Sequence, residues 1–98
     1  MNAYITESMQ WCGISIEVRY CAEWTRTYRK IYGYALAHLE IRSARALPIT
    51  ATGYLSKFER TDNVEIEGGP VAYIRAWLDH AVPKPETYIR QLSLFDTE

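Results

Sequence analysis

Side chains that could support acid–base chemistry occur close together near the middle of the chain. His38 and Glu40 are two residues apart in a segment with strand-like alternation, so both point to the same face. Hydroxyl side chains that could approach them follow in the next segment: Thr50, Thr52, Tyr54 and Ser56. General acid–base catalysis needs a histidine that is oriented by a carboxylate and lies beside a substrate, whereas residues two apart share a face on any exposed sheet. The sequence therefore predicts no catalytic residue and no enzymatic activity.

The chain has few residue types that bind metals or cofactors. Cys12 and Cys21 do not form a CxxC pair, and the only histidines are His38 and His80, so a metal-ligand spacing is missing. In one extended strand the two cysteines would lie about 30 Å apart, which is too far for a disulfide. The sequence also contains no phosphate-cradling glycine loop and no nucleophile elbow. We therefore expect no metal, no cofactor and no small-molecule substrate.

The end of the chain carries a short apolar motif with one amide side chain. Residues 91–95 read Gln-Leu-Ser-Leu-Phe, and Pro83-Lys84-Pro85 precede them. Because proline prevents a helix from continuing, residues 83–98 are expected to leave the folded body as a flexible tail. An extended peptide of this kind can place an amide in a polar subsite and apolar side chains in a groove of a partner.

This pentapeptide resembles the peptide by which bacterial replication and repair proteins dock onto the DNA sliding clamp. By this resemblance Gln91 would occupy a small polar subsite. Leu92, Leu94 and Phe95 would fill an apolar pocket, and Ser93 would be the tolerant position. The resemblance implies a bacterial DNA sliding clamp as partner, bound in the micromolar range. The alternative is that the tail folds back as a final strand or helical turn on the protein's own core.

Length and alternation predict one small domain built around a sheet. The 98 residues are 48% apolar, which suits a modest core and excludes general disorder. Alternating segments predict strands at about 3–10, 14–20 and 35–43, with a turn at Cys12-Gly13. Consecutive strands of this kind pair most simply as an antiparallel meander. Residues 48–58, rich in proline, glycine and hydroxyl side chains, are expected to form an ordered loop with short extended pieces.

A helix is predicted at the end of the domain. Gly68-Gly69-Pro70 mark its start and Pro83 its end. Arg75 and Asp79 are expected to pair on its flank. Its apolar stripe consists of Ile74, Trp77, Leu78, Ala81 and Val82. The predicted fold is α+β: a small antiparallel sheet of about three strands packed against one C-terminal helix, with the domain at 1–82 and the flexible tail at 83–98.

Cations and aromatic rings alternate between the second and third predicted strands. Arg26, Tyr28, Arg29 and Lys30 could touch phosphates and stack on bases, which predicts weak nucleic-acid contact. The net charge of −1 argues against strong, nonspecific binding. The alternative is a solvated hairpin tip whose tyrosines cover the sheet edge.

Three blocks of the body, HLEI, PITATGYLSKF and GGPVAYIRAWLDHA, resemble a group of short uncharacterised bacterial and mobile-element proteins. In that group the second block reads more like PITETGYRSHF. Ala51, Leu55 and Lys57 here replace a charged residue, a basic residue and a histidine, respectively. This resemblance implies a bacterial setting and no particular activity.

Together these patterns predict a noncatalytic cytoplasmic protein that docks on the sliding clamp, as a replication or repair accessory or as a mobile-element modulator. No apolar run is long enough to cross a membrane, and the chain does not begin with a signal-peptide pattern. Two alternatives remain open. One is an interaction or inhibitor protein of the counter-defence type, whose sheet surface binds a host protein and whose tail packs on its own core. The other is a weak nucleic-acid binder that acts through residues 26–34.

Overall fold

A computed structural model describes residues 3–82 of the chain. The strands are β1 (Ile5–Trp11), β2 (Ile14–Cys21), β3 (Leu36–Ser43) and β4 (Tyr54–Arg60), and the helices are α1 (Arg26–Tyr32), α2 (Thr61–Ile66) and α3 (Pro70–Ala81). Neighbouring strands are antiparallel and lie in the sheet in chain order. The predicted α+β class and the antiparallel meander are confirmed. The predicted tail at 83–98 lies outside the described residues.

A tight turn joins β1 to β2 at the predicted position. Cys12 (φ 50°) and Gly13 (φ 78°) both have positive φ, which is the signature of a two-residue type I′ turn and matches the twist of the flanking strands. The turn pairs Trp11 with Ile14, and the register continues along both strands. Cys12 in this turn and Cys21 at the far end of β2 are both free thiols.

The fourth strand is the main difference from the sequence prediction. The sequence predicts a loop over 48–58, but β4 begins at Tyr54 and pairs with β3 along its whole length. Lys57 lies opposite the buried Leu39, so β4 directs a cation to the core side of the sheet, and its neighbour Phe58 points away from the core. Leu55 also faces the core, but Lys57 and Glu59 take the other inward positions, so β4 lacks the consistent apolar-inward alternation by which half-buried strands are recognised.

Gly53 fixes the approach of the chain to β4. Its φ is 81°, and its carbonyl accepts a hydrogen bond from the Ser43 N–H at 2.7 Å. A Cβ atom at this position would lie 2.5 Å from the Ser43 carbonyl oxygen and 2.9 Å from that of Arg45. Within the same loop the Thr50 hydroxyl donates to the Tyr54 carbonyl at 2.7 Å. The hydroxyl-rich segment therefore serves to hold a close backbone crossing before β4.

The core lies between one face of the sheet and the layer formed by α2 and α3. Pro70 occupies the first turn of α3, where its missing N–H costs little. Ile74 and Leu78 are fully buried, whereas the predicted stripe residue Trp77 is half-buried and Ala81 is exposed. The buried apolar residues are Met9, Trp11, Ile14, Ile16, Val18, Tyr20, Ala37, Leu39, Ile41, Leu47, Val64, Ile74 and Leu78.

The flank of α3 is attached to β1 by polar contacts. Asp79 accepts a hydrogen bond from Trp11 Nε1 at 2.8 Å, and Arg75 donates to the Gln10 carbonyl at 3.1 Å. Arg75 and Asp79 thus contact the sheet instead of forming the predicted pair with each other. Intrahelical pairing contributes only about 0.2–0.5 kcal/mol, so a partly buried bond to a neighbouring element competes with it easily.

Two further aromatic side chains reach carboxylates across the layers. Tyr20 donates to Glu65 on α2 at 2.9 Å, and Tyr73 on α3 donates to Glu59 on β4 at 2.7 Å. Burial, and then the hydrogen bond to the carboxylate, raises the pKa of both tyrosines above the ordinary value. Each phenol therefore remains protonated and remains a donor at neutral pH.

The helices of residues 3–82 are short, with lengths of 7, 6 and 12 residues. None of those in this part of the chain is long and apolar enough to cross a bilayer.

Candidate functional site

The residues predicted to contact nucleic acid lie on α1, a two-turn helix at one end of the sheet. Thr25 caps its N-terminus by accepting a hydrogen bond from the Tyr28 N–H at 3.0 Å, and Gly33 ends it with a φ of 80°. The helix replaces the hairpin tip considered from the sequence. It buries no residue, so its side chains are available to solvent.

The cations of α1 surround a shallow surface hollow. This hollow, about 310 Å³ in volume, is lined by Glu23, Arg26, Arg29 and Lys30. Arg29 forms an ion pair with Glu23 at 2.8 Å. Arg26 and Lys30 make no ion pair with any residue of 3–82. Two cations are therefore available to an anionic ligand at this place.

Three tyrosines link α1 to the sheet. The rings of Tyr28 and Tyr32 are 4.5 Å apart, and the hydroxyls of Tyr28 and Tyr34 are 3.1 Å apart. The guanidinium of Arg60, at the end of β4, lies 4.1 Å from the centre of the Tyr34 ring. The same guanidinium binds Asp62 at 2.8 Å. The aromatic cluster of α1 is thereby continuous with the last residue of β4.

The side of the sheet opposite α2 and α3 is not covered by any helix of residues 3–82. We call it the open face. Antiparallel sheets commonly leave one face to solvent, but such faces are usually lined by simple polar side chains. This one carries rings and charges: Tyr4, Arg19, His38, Glu40, Arg42, Tyr54, Ser56 and Phe58.

His38 lies on the open face between Cys21 of β2 and Phe58 of β4, and both of its ring nitrogens have partners. Its Nδ1 lies 2.5 Å from the Tyr4 hydroxyl, and its Nε2 lies 2.7 Å from the Ser56 hydroxyl. The residue is only 8% exposed, because Phe58 packs over it with ring centres 4.7 Å apart. Both ring nitrogens are thus satisfied within the protein, which fixes the orientation of the imidazole.

Glu40 organises a second network beside the histidine. It binds Arg19 at 2.5 Å and accepts a hydrogen bond from the Tyr54 hydroxyl at 3.1 Å. Burial raises the pKa of Glu40, but the bonds from Tyr54 and Arg19 more than offset it, so the pKa lies below the ordinary value. Arg42 lies over the Tyr54 ring, 5.1 Å from its centre. Tyr54 is therefore anchored at its hydroxyl and along its ring.

We expect Tyr54→Phe to destabilise the protein more at about pH 7 than at about pH 3. The folded-state pKa of Glu40 is lowered, so the stability that its ionised form contributes is present at neutral pH and is lost as the pH falls through that pKa. The variant removes one of the hydrogen bonds responsible. Urea unfolding midpoints at the two pH values measure the difference.

Tyr28→Phe is the matched control, because it removes a phenol hydroxyl that bonds another phenol and no carboxylate. Its effect should be the same at both pH values. An equal effect of Tyr54→Phe at the two pH values would contradict the assignment of Glu40 as the coupled group.

The folded body matches a known protein family. Residues 4–87 match the family model described as KlcB third domain. The chain belongs to the KlcB third-domain family. No curated protein and no solved structure matches the chain. The matched range includes the whole KlcB third-domain body, from Tyr4 of the open face to α3, and ends before Gln91. The family match therefore concerns the folded body and not the C-terminal pentapeptide.

The KlcB third-domain structure brings together only part of the acid–base candidates from the sequence. Ser56 meets His38 and Tyr54 meets Glu40. Thr50 and Thr52 instead bond the Tyr54 carbonyl within the loop. Among residues 3–82 there is no group of three or more His, Cys, Asp or Glu side chains that could hold a metal ion.

Sequence reasoning missed several residues of the open face. Tyr4 contacts a histidine 34 positions away, and no local pattern signals that contact. Phe58 and its neighbour Trp24, whose ring centres are 4.8 Å apart, would have been found only by recognising β4 as a strand. The clamp-docking candidates, residues 91–95, lie outside the described residues of this KlcB third-domain protein.

Proposed function

We propose that this protein is a noncatalytic, plasmid-associated bacterial protein that docks on the DNA sliding clamp in the cytoplasm through its C-terminal peptide. Membership of the KlcB third-domain family suggests a small plasmid-associated protein. The observation that carries the finer proposal is the run Gln91-Leu92-Ser93-Leu94-Phe95 after Pro83 and Pro85. The folded body is the part that such docking would bring to DNA.

The physical chemistry of the pentapeptide supports this role. Leu92, Leu94 and Phe95 provide apolar surface, and burying each contributes roughly 1.5–3 kcal/mol. Ordering the peptide and losing translational freedom offset much of that gain, which leaves affinity in the micromolar range. Gln91 adds one directional amide, which orients the peptide in a groove. A tether of this strength supplies a high local concentration without permanent attachment.

The arrangement of the open face supports a noncatalytic body. General base catalysis requires a nitrogen that can take a proton from a substrate. Here Nδ1 and Nε2 of His38 lie within hydrogen-bond distance of Tyr4 and Ser56, and Phe58 covers the imidazole ring. The histidine thus acts as a bridge between the start of β1 and β4.

We expect Phe95→Ala to weaken binding to a purified bacterial sliding clamp by roughly 10-fold or more, since it removes one of the pocket-filling side chains. Isothermal titration of the full chain into the clamp measures this. Ser93→Ala is the matched control, because position 93 is the tolerant one, and it should bind as the wild type does. Neither change should alter the melting temperature.

A chain that ends at Pro85 separates the proposal from its alternative. Loss of clamp binding with an unchanged melting temperature supports docking by the tail. Equal binding by wild type and Phe95→Ala would contradict docking through the pentapeptide. No clamp binding by the full chain, together with a less stable truncated chain, would assign the tail to the protein's own core.

A further inference from the structure

The open face exposes aromatic rings that the fold could have buried. On β4, Tyr54 is 42% exposed and Phe58 is 46% exposed. The intervening Lys57 faces the α3 side, where its ammonium lies 4.5 Å from the centre of the Trp77 ring. Exchanging rings and cation between the two faces would bury more apolar surface, which favours folding. β4 directs Leu55 inward but gives its other inward positions to Lys57 and Glu59 while two rings face outward, which points to a use for the exposed rings.

The exposed rings are held in place. Phe58 is packed between Trp24, at 4.8 Å, and His38, at 4.7 Å between ring centres. Tyr54 is fixed by its hydrogen bond to Glu40 and by Arg42. Residues 54 and 58 lie on the same side of one strand, so their Cα atoms are about 13 Å apart. Rigid rings that need no ordering on binding are effective stacking platforms.

The polar groups between the rings argue against a protein partner. On the open face Ser56 lies between Tyr54 and Phe58 along β4, with Glu40 opposite it on β3, and His38 lies opposite Phe58. The buried centre of a protein–protein interface is usually a continuous apolar patch, which this spacing does not provide. Nucleobases have flat apolar faces and polar edges, so they match rings that alternate with hydrogen-bonding groups.

The charge of this surface is more positive than that of the chain. The open face and α1, with their direct partners, carry six cations, Arg19, Arg26, Arg29, Lys30, Arg42 and Arg60, and four acids, Glu17, Glu23, Glu40 and Asp62. The balance of six and four is +2, whereas the whole chain carries −1. Three of the cations, Arg26, Lys30 and Arg42, make no ion pair within residues 3–82.

The two regions form one continuous surface. Arg60 lies two positions beyond Phe58 on the same side of β4 and contacts the Tyr34 ring at 4.1 Å. Tyr34 contacts Tyr28 on α1, with ring centres 5.7 Å apart. A ligand that leaves Phe58 towards α1 therefore meets aromatic and cationic groups along its whole path.

We propose that the open face and α1 together bind single-stranded nucleic acid. Bases stack on Phe58 and Tyr54, while phosphates contact Arg42 and the α1 cations Arg26 and Lys30. A single strand is required because the bases of a duplex are stacked on each other and cannot reach the rings. The small positive balance gives weak duplex binding, which depends mainly on phosphate charge. This inference is independent of clamp docking, because the surface lies within residues 3–82.

The test is fluorescence anisotropy of the full chain with a labelled oligothymidylate of about 20 nucleotides. Phe58→Ala should weaken binding roughly 5- to 100-fold, the range expected for loss of one base stack. Ile66→Ala is the matched control, because Ile66 is an apolar side chain on α2 that is 80% exposed and lies outside the surface. It should bind as the wild type does. Tyr54→Ala tests the second ring independently, in case Phe58→Ala does not fold.

Two further measurements separate stacking from charge. An abasic oligomer of the same length should bind at least about 10-fold more weakly, because it keeps the phosphates and lacks the bases. Three cations that form no internal ion pair can each contact one phosphate. The logarithm of the binding constant should therefore fall with the logarithm of the salt concentration at a slope of about −2. Arg42→Gln should make that slope shallower by about 0.7, whereas Lys57→Gln, on the α3 side of the sheet, should leave it unchanged.

Equal binding by wild type, Phe58→Ala and Tyr54→Ala would overturn the proposal. So would a duplex or an abasic oligomer that binds as tightly as the oligothymidylate. Absence of saturable binding to the oligothymidylate would also overturn it. None of these results depends on the clamp, so each is distinguishable from failure of tail docking.

Discussion

Gly53→Ala should lower the free energy of unfolding by about 2–5 kcal/mol. A non-glycine residue with left-handed φ is strained, and the added Cβ would lie 2.5 Å from the Ser43 carbonyl oxygen and 2.9 Å from that of Arg45. Both obstacles are backbone atoms, so no side chain can rotate away to make room. The loop must move, and the bond from the Ser43 N–H to the Gly53 carbonyl is strained with it.

Gly33→Ala is the matched control for this prediction. Gly33 has nearly the same φ, 80°, but a Cβ there would meet nothing within 4 Å. Its cost is the conformational strain alone, roughly 1–2 kcal/mol. The difference between the two variants in urea unfolding isolates the backbone collision. Equal destabilisation by the two variants would show that the loop before β4 relaxes freely and that the close crossing is unimportant.

Leu78→Ala should destabilise the protein by about 2–5 kcal/mol, because truncating a fully buried leucine loses transfer free energy and leaves a cavity. Leu78 has no exposed surface and lies on α3 where the helix meets the sheet. A domain of this size has a total stability of about 5–15 kcal/mol, so the loss is a large part of it. Chemical unfolding of the full chain gives the value.

Leu78→Met serves as the control, since a volume-conserving change in a core costs less than about 1.5 kcal/mol. If the alanine variant lost no more stability than the methionine variant, α3 would not be anchored to the sheet through Leu78.

The strands that were predicted most directly from the sequence, β2 and β3, carry apolar residues at alternate positions. β2 and β3 place apolar residues on one face, from Ile16 and Val18 to Leu39 and Ile41, and that period is visible without any structure. The turn at Cys12-Gly13 was predicted from its glycine, and the positive φ of both residues confirms it.

Two of the elements that were missed, α1 and β4, lack a consistent inward apolar pattern. α1 buries no residue, so it has no stripe, and only its Thr25 cap and the terminal Gly33 signal a helix. β4 was missed because only Leu55 of its inward residues is apolar, while Lys57 and Glu59 face the helices and two rings face solvent. The same arrangement hid the open face, since Phe58 and Tyr54 could be assigned to it only after β4 was paired with β3. The bond between Tyr4 and His38 depends on a tertiary contact and has no local signature.

Three hydrogen bonds from ring side chains to carboxylates join the sheet to the helix layer, and they have a consequence for how the two layers fit together. Apolar contact is non-directional, so a helix layer held by burial alone could sit on the sheet in several offsets of similar energy. The bonds of Trp11 to Asp79, Tyr20 to Glu65 and Tyr73 to Glu59 are directional, and they join three different strands to the helix layer. Only one offset satisfies all three. The sheet is thereby held in one twist, and the spacing of the groups on its far side becomes a fixed property of the fold.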